Sequence, residues 1–406
     1  MTDAHPVGGL YAAAAKVDIT PREPRWLAGY APRKSTGVRD PLYHRVMVLT
    51  ADGQELIIAS SELCLVSPSL YDEVAARLRE DPGIDPDSFW WTVTHTHSAP
   101  EVGPPGLYGA LLGRGDEDRN PDYTEFVVDS LVRLVAYTRG LVEPAVLRLG
   151  RGRASANINR RSVNVDGSIT LGLNPDGPVD REFGLLQVQR PTGELIGLLV
   201  NYAMHGTVLG NANLLVSGDA PGTVMNYLEA RLGTQVLYVN GAAGDLAPIY
   251  TSYPDAESAQ MSQFNVLLGN KVLDALDRLT EPTAQVPIRT ARLVVRTPAR
   301  PDVGWPAELS AYRTDTEVLL PVRVARVGEA VLWAAPVELF CEINMAVRER
   351  VGVAHTFFCG YANGWLGYLP TARAFAEGGY EPGASPFTPA AEEDLLRAVP
   401  AALRDL

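Results

Sequence analysis

Short apolar runs that read as buried strands alternate along this chain with segments whose apolar residues recur at helical spacing, and that alternation points to an α/β fold. Glu55–Ser60 and Phe89–Val93 read as strands, the second rich in aromatic and β-branched residues, with Leu70–Arg79 between them as a helix. Asp122–Thr138 carries apolar residues near every third and fourth position and follows Asn120-Pro121, a helix-start signal. Further on, Glu194–Tyr202 is a nearly continuous apolar strand and Val236–Val239 a short one, with helices over Pro221–Leu232 and from about Ser258 to Leu279. Ala330–Ala335 reads as a strand entering a helix near Val337–Val351, Thr356–Phe358 as another strand, and Ala391–Leu406 as an amphipathic helix. The class expected is α/β, a mixed sheet layered with helices. No repeat or low-complexity linker divides the 406 residues, so one domain over 1–406 is expected, with residues 1–14 flexible.

Composition narrows the function. Apolar residues make up 46% and charged residues 20%, the balance of a globular chain. A net charge of -13 excludes nucleic acid as the expected partner, since counterion release needs a cationic stripe. The longest basic clusters, Arg151–Arg153 and Arg160–Arg161, are too short to make one. Met1–Leu10 has no apolar core of a secretory signal, and no apolar run approaches the ~20 residues needed to cross a bilayer. Cys64, Cys341 and Cys359 lie far apart and form neither a disulfide framework nor a zinc knuckle. A reduced, cytoplasmic compartment is expected, and whether copies associate into a homo-oligomer stays open.

The chemistry-bearing residues repeatedly follow strands, the edge at which α/β sheets usually bind ligands. Phe89–Val93 runs into Thr94-His95-Thr96-His97, and Glu194–Tyr202 ends near His205-Gly206. Two histidines two apart in extended chain present their rings on one face, and neutral imidazole is a common zinc ligand. A hydrogen-bonded surface pair explains an HxH motif equally well. His205 alone reads as a satisfied core histidine; three histidines placed alike favour a metal. Asp219, opening a helix after Ser217-Gly218, fits either an N-cap or a catalytic carboxylate. The turn Asn240–Asp245 is glycine-rich and able to bring N–H groups to an oxyanion, but it is neither a P-loop nor a dinucleotide fingerprint. No G-x-S-x-G elbow occurs.

At these residues the chain resembles the neutral/alkaline (non-lysosomal) ceramidases. Thr94-His95-Thr96-His97-Ser98-Ala99-Pro100 is similar to their THTHSGP signature, and Asn157-Ile158-Asn159-Arg160 to their NINR segment. Val239-Asn240 through Gly244-Asp245-Leu246-Ala247-Pro248 resembles their N-x-x-GD-x-SP stretch, and Pro336-Val337-Glu338 their P-G-E. Tyr361-Ala362-Asn363 with Tyr368, Thr371 and Tyr380-Glu381 is similar to their late tyrosine-rich segment; Val17-Asp18-Ile19-Thr20-Pro21 and Gly29-Tyr30 fit their opening. The motifs keep family order over most of the chain.

The resemblance implies a neutral-ceramidase-like catalytic domain that cleaves an N-acyl amide with zinc-activated water. It implies zinc ligands at His95, His205, Glu338 and Tyr368, and catalytic roles for His97, Arg160 and Tyr380. Substrate contacts are expected at Asn157, Gly244, Asp245 and Asp219. Read by themselves, Arg160 is a surface ion pair and the two tyrosines are core aromatics. Glu342 lies four residues after Glu338 on the same face of the expected helix, so either serves as the carboxylate; the spacing from Pro336 favours Glu338.

Three departures from the family pattern bear on substrate. Ala247 stands where ceramidases carry Ser, which removes a serine-acyl route. Ala99 replaces a signature Gly, and Glu101-Val102 replaces a Gly pair. A chain ending at 406 is expected to lack the C-terminal β-sandwich of ceramidases. The substrate expected is a lipid-like or a smaller soluble amide. The alternatives are a zinc ester or lactone hydrolase, a ring-opening or ring-closing biosynthetic enzyme, and a non-catalytic metal-binding interaction protein.

Overall fold

The computed structural model describes residues 9–115, 117–253 and 257–406. Its centre is an eight-stranded sheet in the order Gln235–Asn240, Leu195–Tyr202, Glu182–Gln189, Glu143–Arg153, Leu10–Asp18, Tyr43–Ala51, Gln54–Ser61 and Phe89–Val93. The six inner strands pair antiparallel, while each outermost strand joins its neighbour in parallel. All five residues of Phe89–Val93 are buried, which matches a strand covered on both faces. The sheet curls so that its ends meet: Ser60 Oγ donates to the carbonyl of Tyr238 at 2.5 Å, from the seventh strand to the first in the order above.

A second sheet, Ile288–Pro298, Glu317–Val327, Ala330–Ala334 and His355–Cys359, packs against the first. Met47, Trp90 and Leu199 from the large sheet share one buried cluster with Leu332 and Phe357 from the small one. Helices Pro68–Glu80, Pro121–Arg139, Cys341–Val351 and Ala390–Asp405 bury their apolar faces in another cluster. The first of these starts where expected for a physical reason: Ser67 Oγ accepts from Leu70 N–H at 3.2 Å and Pro68 takes the first helical position. Among the described residues no helix is long and apolar enough to cross a membrane.

Three expectations change. Residues 1–8 lie outside the described residues, but Leu10–Ala14, expected to be flexible, opens a central strand. The long helix from Ser258 reduces to a π-helical turn, Asn265–Gly269, and a short α-helix, Asn270–Leu276. Ala259 and Met261 are buried two apart between exposed Ser258, Gln260 and Ser262, a period that no helix can satisfy. Glu338 is not helical: Glu338–Leu339 pairs as a short parallel strand with Tyr368–Leu369, and the helix begins at Cys341. Backbone bonds from Glu338 N–H to Gly367 O and Phe340 N–H to Leu369 O hold that ladder open ahead of the helix.

Candidate metal centre

The curl of the large sheet brings two loops together. One follows Phe89–Val93 and carries His95 and His97; the other follows Leu195–Tyr202 and carries His205. His97 N–H donates to Gly206 O at 2.9 Å and Gly206 N–H to His95 O at 3.2 Å. A Cβ at Gly206 would lie 2.7 Å from His95 O and 2.7 Å from Thr96 Cα, so the approach requires glycine. Asn240 ties the pair from below: its Nδ2 donates to Thr94 O (3.3 Å) and Met204 O (3.0 Å), and its Oδ1 accepts from Met204 N–H. The two-residue spacing of His95 and His97 does not work through extended chain. His95 has φ 63° in the left-handed region, and the two rings stand at 86° to each other.

Glu338 closes the cluster. One of its oxygens, Oε2, is 3.4 Å from His95 Nε2 and 3.1 Å from His205 Nε2. Each histidine donates its other nitrogen to a carbonyl, His95 Nδ1 to Cys64 O (2.9 Å) and His205 Nδ1 to Ala243 O (2.7 Å). That places an N–H on each Nδ1 and turns both Nε2 atoms toward the carboxylate, the arrangement that metal-binding histidines use. All three side chains are buried, and their ligand atoms lie within 4.8 Å of one another. Glu342 is elsewhere: its Oε2 sits 2.7 Å from Arg373 Nη2.

The electrostatics ask for a cation. Burial disfavours charge on His95, but Glu338 and Cys64 together outweigh it and push the pKa up to about 10. Burial and the Arg160 charge pull His205 down to about 3. Burial and the neighbouring histidines hold His97 well below the ordinary value. Burial would raise Glu338, yet His95 and His205 keep it ionised. A buried carboxylate thus demands one positive partner, a place that a divalent ion fills as well as a proton on His95.

Around the cluster, Arg160 donates through Nη1 to His205 Nε2 (2.9 Å), through Nη2 to the Tyr368 hydroxyl (3.2 Å) and through Nε to Glu381 (2.9 Å). It is no surface residue. Glu381, itself fully buried, is shared with Arg161 at 2.9 Å. His97 Nε2 is 3.2 Å from His95 Nε2; the ring fits because residue 29 is glycine, whose added Cβ would fall 2.4 Å from His97 Cγ. Burial pushes the Tyr368 hydroxyl well above its ordinary range, and that of Tyr380 up as well, so both are O–H donors at neutral pH.

His95 and Glu338 of the cluster line a cavity of about 340 Å³. His97, Tyr368 and the half-exposed Tyr380 join them in the lining, with Leu65, Tyr108, Leu111, Leu112 and Trp365 as apolar walls. The four expected substrate contacts are absent from this lining. Asn157 Nδ2 donates to Asp180 O and Ala203 O. Gly244 N–H is taken by Leu339 O, so it is not free for an oxyanion. Asp245 accepts from Cys341 N–H and Asn159 Nδ2. Asp219 accepts from the N–H groups of Val208, Leu209 and Ala220. All four brace the chain; the glycine-rich turn serves by supplying Ala243 O to His205.

Trp365, Tyr361 and Glu381 escape a reading by residue type. Trp365 Nε1 donates to the second oxygen of Glu338, Oε1, at 3.0 Å. The Tyr361 ring stacks on His95 at 4.2 Å and its hydroxyl lies 3.4 Å from Glu338 Oε2. Each looks like an ordinary core residue or ion pair in the sequence, and only their occurrence inside ordered motifs marked Tyr361 and Glu381.

Two imidazoles and a carboxylate converging beside a cleft, on an α/β scaffold, make up the kind of centre found in metal-dependent hydrolases. The sequence pattern described as neutral/alkaline non-lysosomal ceramidase, N-terminal, matches residues 12–249. The chain belongs to the neutral/alkaline non-lysosomal ceramidase family. It is 24% identical to a neutral ceramidase of Pseudomonas aeruginosa over 96% of this chain and 71% of that protein. A neutral ceramidase of Mycobacterium tuberculosis is 29% identical over 50% of this chain and 33% of its own length. The fold matches a solved ceramidase complexed with C2 at a TM-score of 0.80, with 20% identity, covering 98% of this chain and 76% of the other. The crystal structure of the Pseudomonas aeruginosa neutral ceramidase aligns at 0.78, with 22% identity, over 98% of this chain and 75% of that one. Membership supports an amide-bond hydrolase.

Proposed function

We propose that this chain is a zinc-dependent hydrolase of N-acyl amides bearing an apolar chain, with ceramide-like lipids the first substrates to try. The observation that carries the reading is the convergence of His95 Nε2, His205 Nε2 and Glu338 beside an apolar-walled cavity that His95 and Glu338 line. These three, with the Tyr368 hydroxyl beside them, would hold the ion; imidazole and oxygen donors with a position left open are the ligand set of catalytic zinc. Bound there, zinc supplies a water acidic enough to attack at neutral pH and polarises the amide carbonyl.

The chain's own groups do the rest. Arg160 now spends one N–H on the His205 lone pair that a cation would claim. Released from it, Arg160 and the Tyr380 hydroxyl donate to the amide oxygen as negative charge builds there. His97, whose Nε2 stands 3.2 Å from His95 Nε2 and which lines the cavity, would accept the proton of the attacking water and deliver it to the departing nitrogen. The leucine and aromatic walls bind the apolar chain and exclude bulk water from the reacting bond. Such walls favour a lipid-like amide over a small polar metabolite. Three free, buried cysteines fit a reducing, cytoplasmic setting.

The test is a metal analysis of the purified protein with a panel of N-acyl amides of graded chain length and their ester counterparts. Stoichiometric zinc, amide cleavage lost on chelation and recovery with added zinc are expected. Absence of both zinc and hydrolysis overturns the reading. Esters cleaved in preference to every amide would move it to an ester hydrolase.

A further inference from the structure

The segment Tyr361–Tyr368 is fastened on both sides of the centre. Asn363 Oδ1 accepts from Trp91 N–H at 2.8 Å and Asn363 N–H donates back to Trp91 O, on the strand that leads to His95. Leu366 N–H donates to Pro336 O at 2.7 Å and Glu338 N–H to Gly367 O at 3.0 Å. Asn363 itself sits at φ 62° and Gly364 at φ 126°, positive-φ turn geometry that these two residue types accommodate. The indole between these anchors is therefore aimed by the scaffold. Trp365 is only 4% exposed, packs edge-on to Tyr108 at 6.1 Å, and turns Nε1–H onto Glu338 Oε1 at 3.0 Å.

We propose that Trp365 is a positioning residue that assigns the two oxygens of Glu338 to different tasks. An indole is a donor and never an acceptor, so its N–H holds Oε1 and leaves Oε2 as the oxygen presented to His95 and His205. Deprived of that bond, the carboxylate is free to turn and offer both oxygens, which would occupy the open position that hydrolysis needs. The same ring forms a wall of the cavity, so the group that orients the carboxylate also faces the space a substrate would fill. The inference rests on the proposed metal centre and goes beyond it by naming what fixes the denticity of its carboxylate.

Two variants test it: Trp365→Phe, which keeps an apolar ring, and the full chain with benzothienylalanine at position 365, which keeps the indole shape but replaces N–H by sulfur. Zinc affinity is measured by chelator competition, and the visible spectrum is recorded after loading with cobalt(II). Affinity should fall about 10- to 100-fold, as when other groups that orient metal ligands are lost. The cobalt absorption per ion should weaken as coordination number rises. Variants that match the parent in both measurements overturn the role of Trp365 while the metal centre stands. A parent protein that takes up neither ion overturns the metal centre, and this proposal with it. Should Trp365→Phe not fold, the benzothienyl protein decides alone.

Discussion

Gly206→Ala puts a single methyl group into the contact between the two histidine loops. The new Cβ would sit 2.7 Å from His95 O, 2.7 Å from Thr96 Cα and 3.0 Å from Thr96 N. All three are backbone atoms, so no side chain can swing aside to make room. Non-bonded atoms settle near ~3.5 Å, so the loops must part by about 0.8 Å. Ligand distances around a bound metal tolerate about 0.2 Å, so His95 and His205 cannot both keep full bonds to one ion. Overpacking of this kind costs about 1–3 kcal/mol, which corresponds to a fall in zinc affinity of roughly 5- to 150-fold. The assay is chelator-competition titration alongside thermal melts in chelator and in excess zinc. The zinc-dependent rise in melting temperature should shrink, with amide turnover falling in parallel. A variant with the parent's zinc affinity and turnover would refute the idea that this contact sets the spacing of the ligands.

Other expectations are open to measurement. His97→Gln should lower kcat about 100-fold or more while zinc content stays at the parent's level, because its role is proton transfer; loss of zinc would instead make it a ligand. Glu338→Gln should lose zinc on dialysis, whereas Glu342→Gln, which breaks only an exposed pair with Arg373, should retain it and shift stability by no more than about 0.5 kcal/mol. His44 is buried between Ser61 Oγ (2.6 Å) and Val127 O (3.1 Å), and burial pulls its pKa down to about 4. The unfolded chain, with a value near ~6.5, then binds more protons between those limits, so stability is full above pH ~6.5 and drains away towards pH ~4. From pH 7 to 5 His44 alone should cost about 2 kcal/mol by urea unfolding, and His44→Gln should shrink the total loss by that amount; an unchanged difference would place the acid sensitivity elsewhere.

Much of the scaffold is legible in local pattern. Phe89–Val93 stands where its aromatic and β-branched content predicts, and the helix expected at Asp122–Thr138 is found as Pro121–Arg139. Patterns fail where tertiary contacts override them. Helical phase places Glu338 and Glu342 on one face and cannot choose between them; the ladder to Tyr368–Leu369 takes Glu338 out of the helix and decides the matter. The meeting of the histidine loops is written in no window either. It depends on Gly206 and on Asn240, whose amide reaches Thr94 across 146 residues of chain. Trp365 reads as one more core aromatic, since nothing in its neighbours tells that its N–H faces a carboxylate.

The curl of the eight-stranded sheet carries a consequence for how the molecule is made. Residues 95, 205 and 338 are far apart in the chain and meet where the sheet ends come together and the second sheet packs on, so the cluster belongs to the closed fold as a whole. An ion held at the proposed centre would act as a clasp on the finished structure, disfavouring every form in which the sheet has reopened.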